Sequence, residues 1–434
     1  MALNCNIKFD NNPQGIYYSG QNLSGTVELS VECLIKVKAI SLKISGFAYT
    51  HWTERENYKV NGKNHTRMVN FHGREDYLNS TTYLIGSPNA NQIEILPGVH
   101  TYNFACLLPV NLPSSFEGPY GHIRYTVKVT FVQPWKFDQT YKIGFTVLKQ
   151  LDLNYDNPDL RLPVHAETTK HFCCWPCKTG PLILTVTLPI AGFVPGQTIP
   201  ISLVIDNQSR ETVEEVTFKL KKIVKCFSQT PRVHSREEKG VIVMKRSGGV
   251  EKYQKKRYQH SLLIPALPPT NLNMCKIIQI SYVLKIKPKV SGMHKESKLS
   301  VPIVIGTVPL SPGNIFTMQP ILNQQIGYVN NGVELTDETN VPTVLPPNID
   351  MNHPTAPPIS PAIICVPSYD DAVKNNSQNL APPSYEESMY GSVQIEDPED
   401  EHPIGKNSFT PRYPVYHFDN STNIGLQART TTEL

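Results

Sequence analysis

The feature that most constrains this chain is a two-residue alternation of apolar and polar side chains through its first three hundred residues. Thr26-Val27-Glu28-Leu29-Ser30-Val31, Ile40-Ser41-Leu42-Lys43-Ile44-Ser45 and Tyr125-Thr126-Val127-Lys128-Val129-Thr130 all show it. So do Leu182-Ile183-Leu184-Thr185-Val186-Thr187, Val216-Thr217-Phe218-Lys219-Leu220-Lys221 and Ser281-Tyr282-Val283-Leu284-Lys285-Ile286. Such a segment buries a single face only as a strand, and its β-branched and aromatic residues suit a pleated surface. No long stretch carries a 3.6-residue apolar stripe, and 37 prolines in 434 residues work against long helices. Gly, Pro and Asn break the strands at short intervals, the pattern of an all-β sandwich fold.

The strand order occurs twice. Gly20-Gln21 opens a strand, a polar break and a second strand ending near Phe47, and Gly196-Gln197 opens a similar pair, Ile201–Ile205 and Val216–Phe227. Leu112-Pro113 precedes the strand at Tyr125 much as Leu267-Pro268 precedes the strand at Tyr282. Two copies of one order predict two tandem immunoglobulin-like β-sandwiches, over 1–150 and 179–309. Residues 151–178 hold Asn157-Pro158 and Leu162-Pro163 and no clear strand, and are read as a linker or hinge. After Leu310 the alternation stops. Sixteen of the prolines and a net charge of −11 fall from Ser311 onward, leaving the body at +15. Such a segment cannot bury enough apolar surface to offset its chain entropy, so 310–434 is read as a disordered, acidic, proline-rich tail.

Several classes drop out. The first residues show no basic region ahead of an apolar run, so no signal peptide is read there. Thr179–Ile205 has no charged residue and could span a bilayer by length, but Pro181, Pro189, Pro195 and Pro200 would leave backbone groups unpaired in lipid. Nine cysteines, mostly scattered, fit a reducing compartment better than a disulfide scaffold. There is no H-E-x-x-H, no G-x-G-x-x-G after a strand, no P-loop and no G-x-S-x-G elbow. No catalytic residue, metal ligand set or cofactor is nominated, and the chain is not expected to be an enzyme.

From Pro97 the sequence reads PGVHTYNFACLLPVNLPSSFEGPYGHIRYTVKV. Gly98, Tyr102, Phe104, Leu108-Pro109, Pro113, Ser115-Phe116-Glu117-Gly118, Gly121 and Ile123-Arg124-Tyr125 closely resemble the arrestin N-domain signature. With the doubled sandwich, the Gly-Gln starts and the prolyl tail, the chain resembles an α-arrestin (arrestin domain-containing) protein from about Leu3 to Pro309. That resemblance implies a cytoplasmic adaptor, recruited to the plasma membrane and endosomes. It would link the cytosolic segments of membrane receptors or transporters to HECT-type ubiquitin ligases carrying WW domains, promoting ubiquitination, endocytosis and endosomal sorting. No clathrin- or adaptor-binding tail box is evident, so receptor desensitisation is not implied. An arrestin-fold trafficking scaffold working without ubiquitin is the alternative, as is a redox- or metal-linked regulator using the Cys173–Cys177 cluster.

The motif best suited to the adaptor role is Pro382-Pro383-Ser384-Tyr385, a P-P-x-Y. Its prolines pre-set a polyproline II turn for an aromatic WW groove, Tyr385 enters a second groove, and Glu386 and Glu387 offer contacts to basic residues of the partner. Val366-Pro367-Ser368-Tyr369 is a degraded copy: Pro367 and Tyr369 remain, but Val366 loses one stacking contact, and binding there should be weak. The densest basic run, Lys245-Arg246, Lys252 and Lys255-Lys256-Arg257, suits anionic lipid headgroups or acidic cargo tails, or is simply a solvated hairpin. No nucleic-acid fingerprint accompanies it. Cys173-Cys174 and Cys177 around Trp175-Pro176 read foremost as plain linker cysteines, with S-acylation, metal and redox chemistry as alternatives; one C-x-x-C does not make a structural zinc site. Trp52 and Trp135 are expected to pack in or beside the first sandwich.

Overall fold

The structure, a computed structural model, describes residues 3–89, 91–135, 137–155, 157–174, 177–178, 180–292, 297–311, 392–395, 403–404, 408–416 and 418. The first sandwich contains β1 (Leu3–Phe9), β2 (Ile16–Tyr18), β3 (Asn22–Val31), β4 (Ile35–Val37), β5 (Ala39–Val60) and β6 (Lys63–Gly86). β7 (Ile93–Ile95), β8 (Gly98–Leu107), β9 (Phe116–Gly118), β10 (Gly121–Val132) and β11 (Gln139–Leu148) complete it. One sheet runs β1-β3-β8; the other runs β2-β11-β10-β5-β6, with β9 added on β10. The alternation read from the sequence is the alternation seen: Leu23, Val27 and Leu29 of β3 point inward, as do Leu42 and Ile44 of β5 and Val127 and Val129 of β10.

In the second sandwich β12 (Val164–Lys170), the short pair β13 (Cys173–Cys174) and β14 (Cys177–Lys178), β15 (Leu182–Leu188), β16 (Gly192–Phe193) and β17 (Thr198–Asn207) are followed by β18 (Val213–Phe227) and β19 (Ser235–Val250). β20 (Lys255–Leu263), β21 (Ile278–Val290) and β22 (Leu299–Ile305) close it. Its sheets run β12-β15-β17-β20 and β16-β22-β21-β18-β19. Residues 180–205 of the uncharged stretch form β15, β16, most of β17 and the turns between them, and among the described residues no helix is long and apolar enough to cross a membrane.

The repeat seen in the sequence is a repeat of hydrogen bonds. In the first sandwich Gly20 takes φ +88° and Gln21 accepts from the Tyr18 amide through its side chain at 2.8 Å. In the second, Gly196 takes φ +92° and the Gln197 side chain accepts from the Val194 amide at 2.9 Å. Only glycine enters that left-handed region without cost, and the glutamine amide closes the turn. Tyr125 donates its hydroxyl to the Pro113 carbonyl at 2.7 Å, and Tyr282 does the same to Pro268 at 2.6 Å. The Ser115 hydroxyl accepts from the Val147 amide and the Thr270 hydroxyl from the Ile305 amide, both at 2.9 Å. Each sandwich also carries a short parallel strand at the matching place, β2 on β11 and β16 on β22.

Two sequence expectations need correction, and one gains detail. Residues 151–178 are not only a hinge: β12 pairs with β15 along its whole length, so the second sandwich begins at Val164. Val164 and Ala166 alternate with His165 and Glu167 and lean on the core, but two apolar residues are too short a run to announce a strand. Trp52 is buried and stacks on Phe71 at 5.6 Å as expected, but Trp135 is 99% exposed in the β10–β11 connection, at φ +61°. The tail beyond 310 also includes packed stretches. β23 (Val393–Gln394) pairs with β25 (Ser408–Phe409), β24 (Pro403–Ile404) pairs with β11, and Ile395 and Tyr413 are buried.

The two sandwiches meet along the long β5–β6 hairpin. Thr50 donates its hydroxyl to the Phe227 carbonyl at 2.7 Å, and the His72 amide donates to Thr230 at 2.9 Å. The Lys276 amide donates to the Glu75 carboxylate at 3.0 Å, Arg236 lies 3.6 Å from Glu54, and Arg232 pairs with Glu56.

Candidate functional site

Among the described residues no group of three or more His, Cys, Asp or Glu side chains is placed to hold a metal ion. The described buried thiols are muted: burial pushes Cys5 and Cys226 up to about 12 and Cys275 up to about 11. A thiol in that range holds almost no thiolate at neutral pH and is a poor nucleophile. For Cys173, Cys174 and Cys177 the backbone forms the β13–β14 pair, and their side chains lie outside the described residues. What the fold does build is surface.

The six basic residues read from the sequence are all exposed: Lys245 and Arg246 near the end of β19, Lys252 in the turn, and Lys255, Lys256 and Arg257 at the start of β20. Lys245 and Arg246 stand opposite Phe218 and Thr217 on β18, while Lys255, Lys256 and Arg257 stand opposite Asp206, Ile205 and Val204 on β17. Because β19 and β20 belong to different sheets, the run is split between the two layers. Part of its charge is countered: Arg246 lies 3.8 Å from Glu215 and Lys255 3.9 Å from Asp206. The Lys256 ammonium donates to the Gly249 carbonyl at 3.0 Å and lies 5.2 Å from the Tyr258 ring centroid.

Strand register adds cations that the sequence did not single out. Lys219 and Lys221 alternate outward along β18, and Lys285 and Lys287 along β21. Lys219 sits directly opposite Lys285, and Thr217 stands between Lys287 and Arg246. Like charges facing each other across a sheet are unfavourable, and an anionic partner relieves that cost. The basic surface is thus the outer face of the β16-β22-β21-β18-β19 sheet together with the hairpin.

A second surface belongs to the end of the chain. β11 pairs with β2 only from Thr146 to Leu148, which leaves its first half as a sheet edge, and β24 lies parallel on that half at Thr140 and Tyr141. Further along, Phe409 covers Gly144: a Cβ there would fall 2.5 Å from the ring. The Arg412 amide donates to the Thr146 hydroxyl at 3.1 Å, and the buried Tyr413 donates its hydroxyl to the Ser115 carbonyl at 3.0 Å. The chain then crosses to the second sandwich. The Tyr416 amide donates to the Pro195 carbonyl at 3.0 Å, and its hydroxyl donates to the Thr307 carbonyl. Burial pushes the Tyr416 phenol up, and Asp152 adds to this. A Cβ on Gly196 would lie 2.0 Å from the Tyr416 carbonyl oxygen, so this glycine serves both its own turn and the passage of the tail. Burying Ile395 and Tyr413 contributes about 2 kcal/mol each.

The sequence reading missed this segment, although a signal was present. Phe409, Tyr413, Tyr416 and Phe418 crowd ten residues of a tail otherwise poor in large rings. The P-P-x-Y residues Pro382, Pro383, Tyr385 and Glu386, and the weaker pair Pro367 and Tyr369, lie outside the described residues.

Residues 5–154 match the arrestin (or S-antigen) N-terminal domain, and residues 178–310 match the arrestin C-terminal domain. The chain belongs to the arrestin domain-containing, or α-arrestin, family. It is 28% identical over 435 residues to arrestin domain-containing protein 17 of Caenorhabditis elegans, covering 94% of this chain and 97% of that one. It is 30% identical over 304 residues to arrestin domain-containing protein 1 of Rattus norvegicus, covering 68% and 64% of the two. It is 28% identical over 307 residues to arrestin domain-containing protein 4 of Mus musculus, covering 70% and 71%. In this α-arrestin the N-domain signature residues carry structure. Tyr125 and Ser115 make the repeated bonds described above, and Glu117 and Arg124 form a buried two-point ion pair at 2.6 and 2.9 Å. Burial pushes the Glu117 carboxyl up, while the guanidinium beside it pulls it back.

Proposed function

We propose that this α-arrestin is a non-enzymatic trafficking adaptor with two working ends. The arrestin body engages acidic cytosolic segments of membrane receptors or transporters and the anionic membrane surface through the cationic sheet face and its hairpin. Pro382, Pro383 and Tyr385 hold a WW domain of a HECT-type ubiquitin ligase, with Glu386 beside them. The adaptor works in the cytoplasm and is drawn to the plasma membrane and endosomes by its cargo. Ubiquitin transfer is then the ligase's chemistry, and this chain's part is to set distance. The observation that carries the reading is the presence of two arrestin domains and a P-P-x-Y in one chain.

The test is binding of HECT-ligase WW domains to the full chain by calorimetry. Tyr385→Ala should weaken binding at least tenfold, because it empties one of the two grooves, while Tyr369→Ala should change it less than threefold. Absence of WW binding by the wild-type chain would remove the ligase and leave a trafficking scaffold that works without ubiquitin.

A further inference from the structure

The adaptor reading leaves one question of geometry: where a ligase held at Tyr385 would sit relative to the body. The chain length that tethers the motif differs sharply on its two sides. Toward the N-terminus, the last described residue of the body, Ser311, is 74 residues away. Chain length alone would let 74 residues reach about 250 Å when fully extended. Toward the C-terminus the first described residue is Ser392, seven residues away. Seven residues reach at most about 25 Å when fully extended.

Ser392 begins a segment that is fastened at both ends of its path. Val393-Gln394 pairs with Ser408-Phe409, and Ile395 is 2% exposed. Phe409 lies on Gly144, Tyr413 reaches the Ser115 carbonyl, and Tyr416 reaches Pro195 and Thr307 in the second sandwich. The receiving surface is shaped for it, since Gly144 and Gly196 stand where any side chain would collide with the tail.

We infer that the β11 edge and the Pro195–Thr307 corner form a binding site for the chain's own residues 403–404 and 408–416, with 393–394 paired onto them, and that this strap presents the WW-bound ligase close against the first sandwich. The inference rests on the ligase reading and deepens it. The strap leaves WW affinity to the motif and sets the ligase's position. The chain-length limit on reach falls about tenfold when the strap holds, which raises the effective concentration of the ligase at body-bound cargo.

Gly144→Ala tests this from the body side. It adds one methyl to a strand without altering the tail or the motif, and that methyl meets the Phe409 ring. Phe409→Ala should restore docking in the Gly144→Ala background by removing the ring. Full-length chains carrying a photo-crosslinking phenylalanine at Phe137, beside the β11 edge, are mixed with a WW domain of the ligase, and amide exchange over 408–416 is followed in parallel. In the wild type, protected amides at 408–416 and a crosslinked WW domain are expected. In Gly144→Ala, protection should be lost and crosslinking should fall at least fivefold while WW affinity stays within twofold; the double variant should regain both. Equal crosslinking in wild type and Gly144→Ala despite lost protection, or unprotected 408–416 amides in the wild type, would overturn the inference. No WW binding at all, with 408–416 still protected, would instead overturn the ligase reading and show a strap that serves the body alone.

Discussion

Glu117 and Arg124 pose a problem in miniature. Both are nearly enclosed, one on β9 and the other on β10, and their two-point bond is what makes that burial tolerable. Removing one partner strands the other charge away from water, which typically costs 3–5 kcal/mol, whereas replacing both with apolar residues of similar volume is often close to neutral. Glu117→Ala should therefore lower the melting temperature of the first sandwich by about 10 °C. Glu117→Leu combined with Arg124→Met should recover most of that loss, and a double variant as unstable as the single one would show that the pair does more than neutralise itself. Tyr125 illustrates the other use of a signature residue: its ring fills the space left by Gly46 across the strand pair, while its hydroxyl anchors the Pro113 loop.

At the scale of elements, the readable parts were those whose cause is local. The inward positions of β3, β5, β10, β15, β17, β18 and β21 follow from alternation alone, and the paired Gly-Gln turns follow from one residue that tolerates positive φ and another that can cap it. The unreadable parts depend on partners far away in sequence. β12 is a strand because β15 offers it an edge, although its inward face carries only Val164, Ala166 and Thr168, too little apolar surface to mark a strand. The six hairpin cations were legible because they are contiguous. The row of Lys219, Lys221, Lys285 and Lys287 was not, since only register brings Lys219 opposite Lys285. Charge reversal tests that row. Lys219→Glu with Lys221→Glu should weaken co-sedimentation with phosphatidylserine vesicles at least tenfold at 0.1 M salt, each lysine being worth about 1 kcal/mol near an anionic surface. It should not lower the melting temperature, because a like-charge contact is removed as well. Vesicle binding unchanged by both reversals would take the sheet face out of the proposed docking surface.

At the scale of the whole molecule, the sequence divided the chain into a folded body and an unfolded tail, and the described part of the tail does not respect that division. Its burial could not be read from composition, because the groove it fills is made by Gly144 and Gly196, glycines that look like ordinary turn or strand residues until the tail is seen over them. The same feature bears on chain integrity. The strap holds the C-terminal end to both sandwiches without needing the covalent path from 312 to 381, so a single protease cut in that interval should leave one particle rather than two. The nicked protein should elute at the position of the intact chain in size exclusion, separate into a body and a tail piece only in denaturant, and separate readily when Gly144→Ala is present. A processed form of this adaptor would then keep its ligase-binding peptide as a noncovalent subunit.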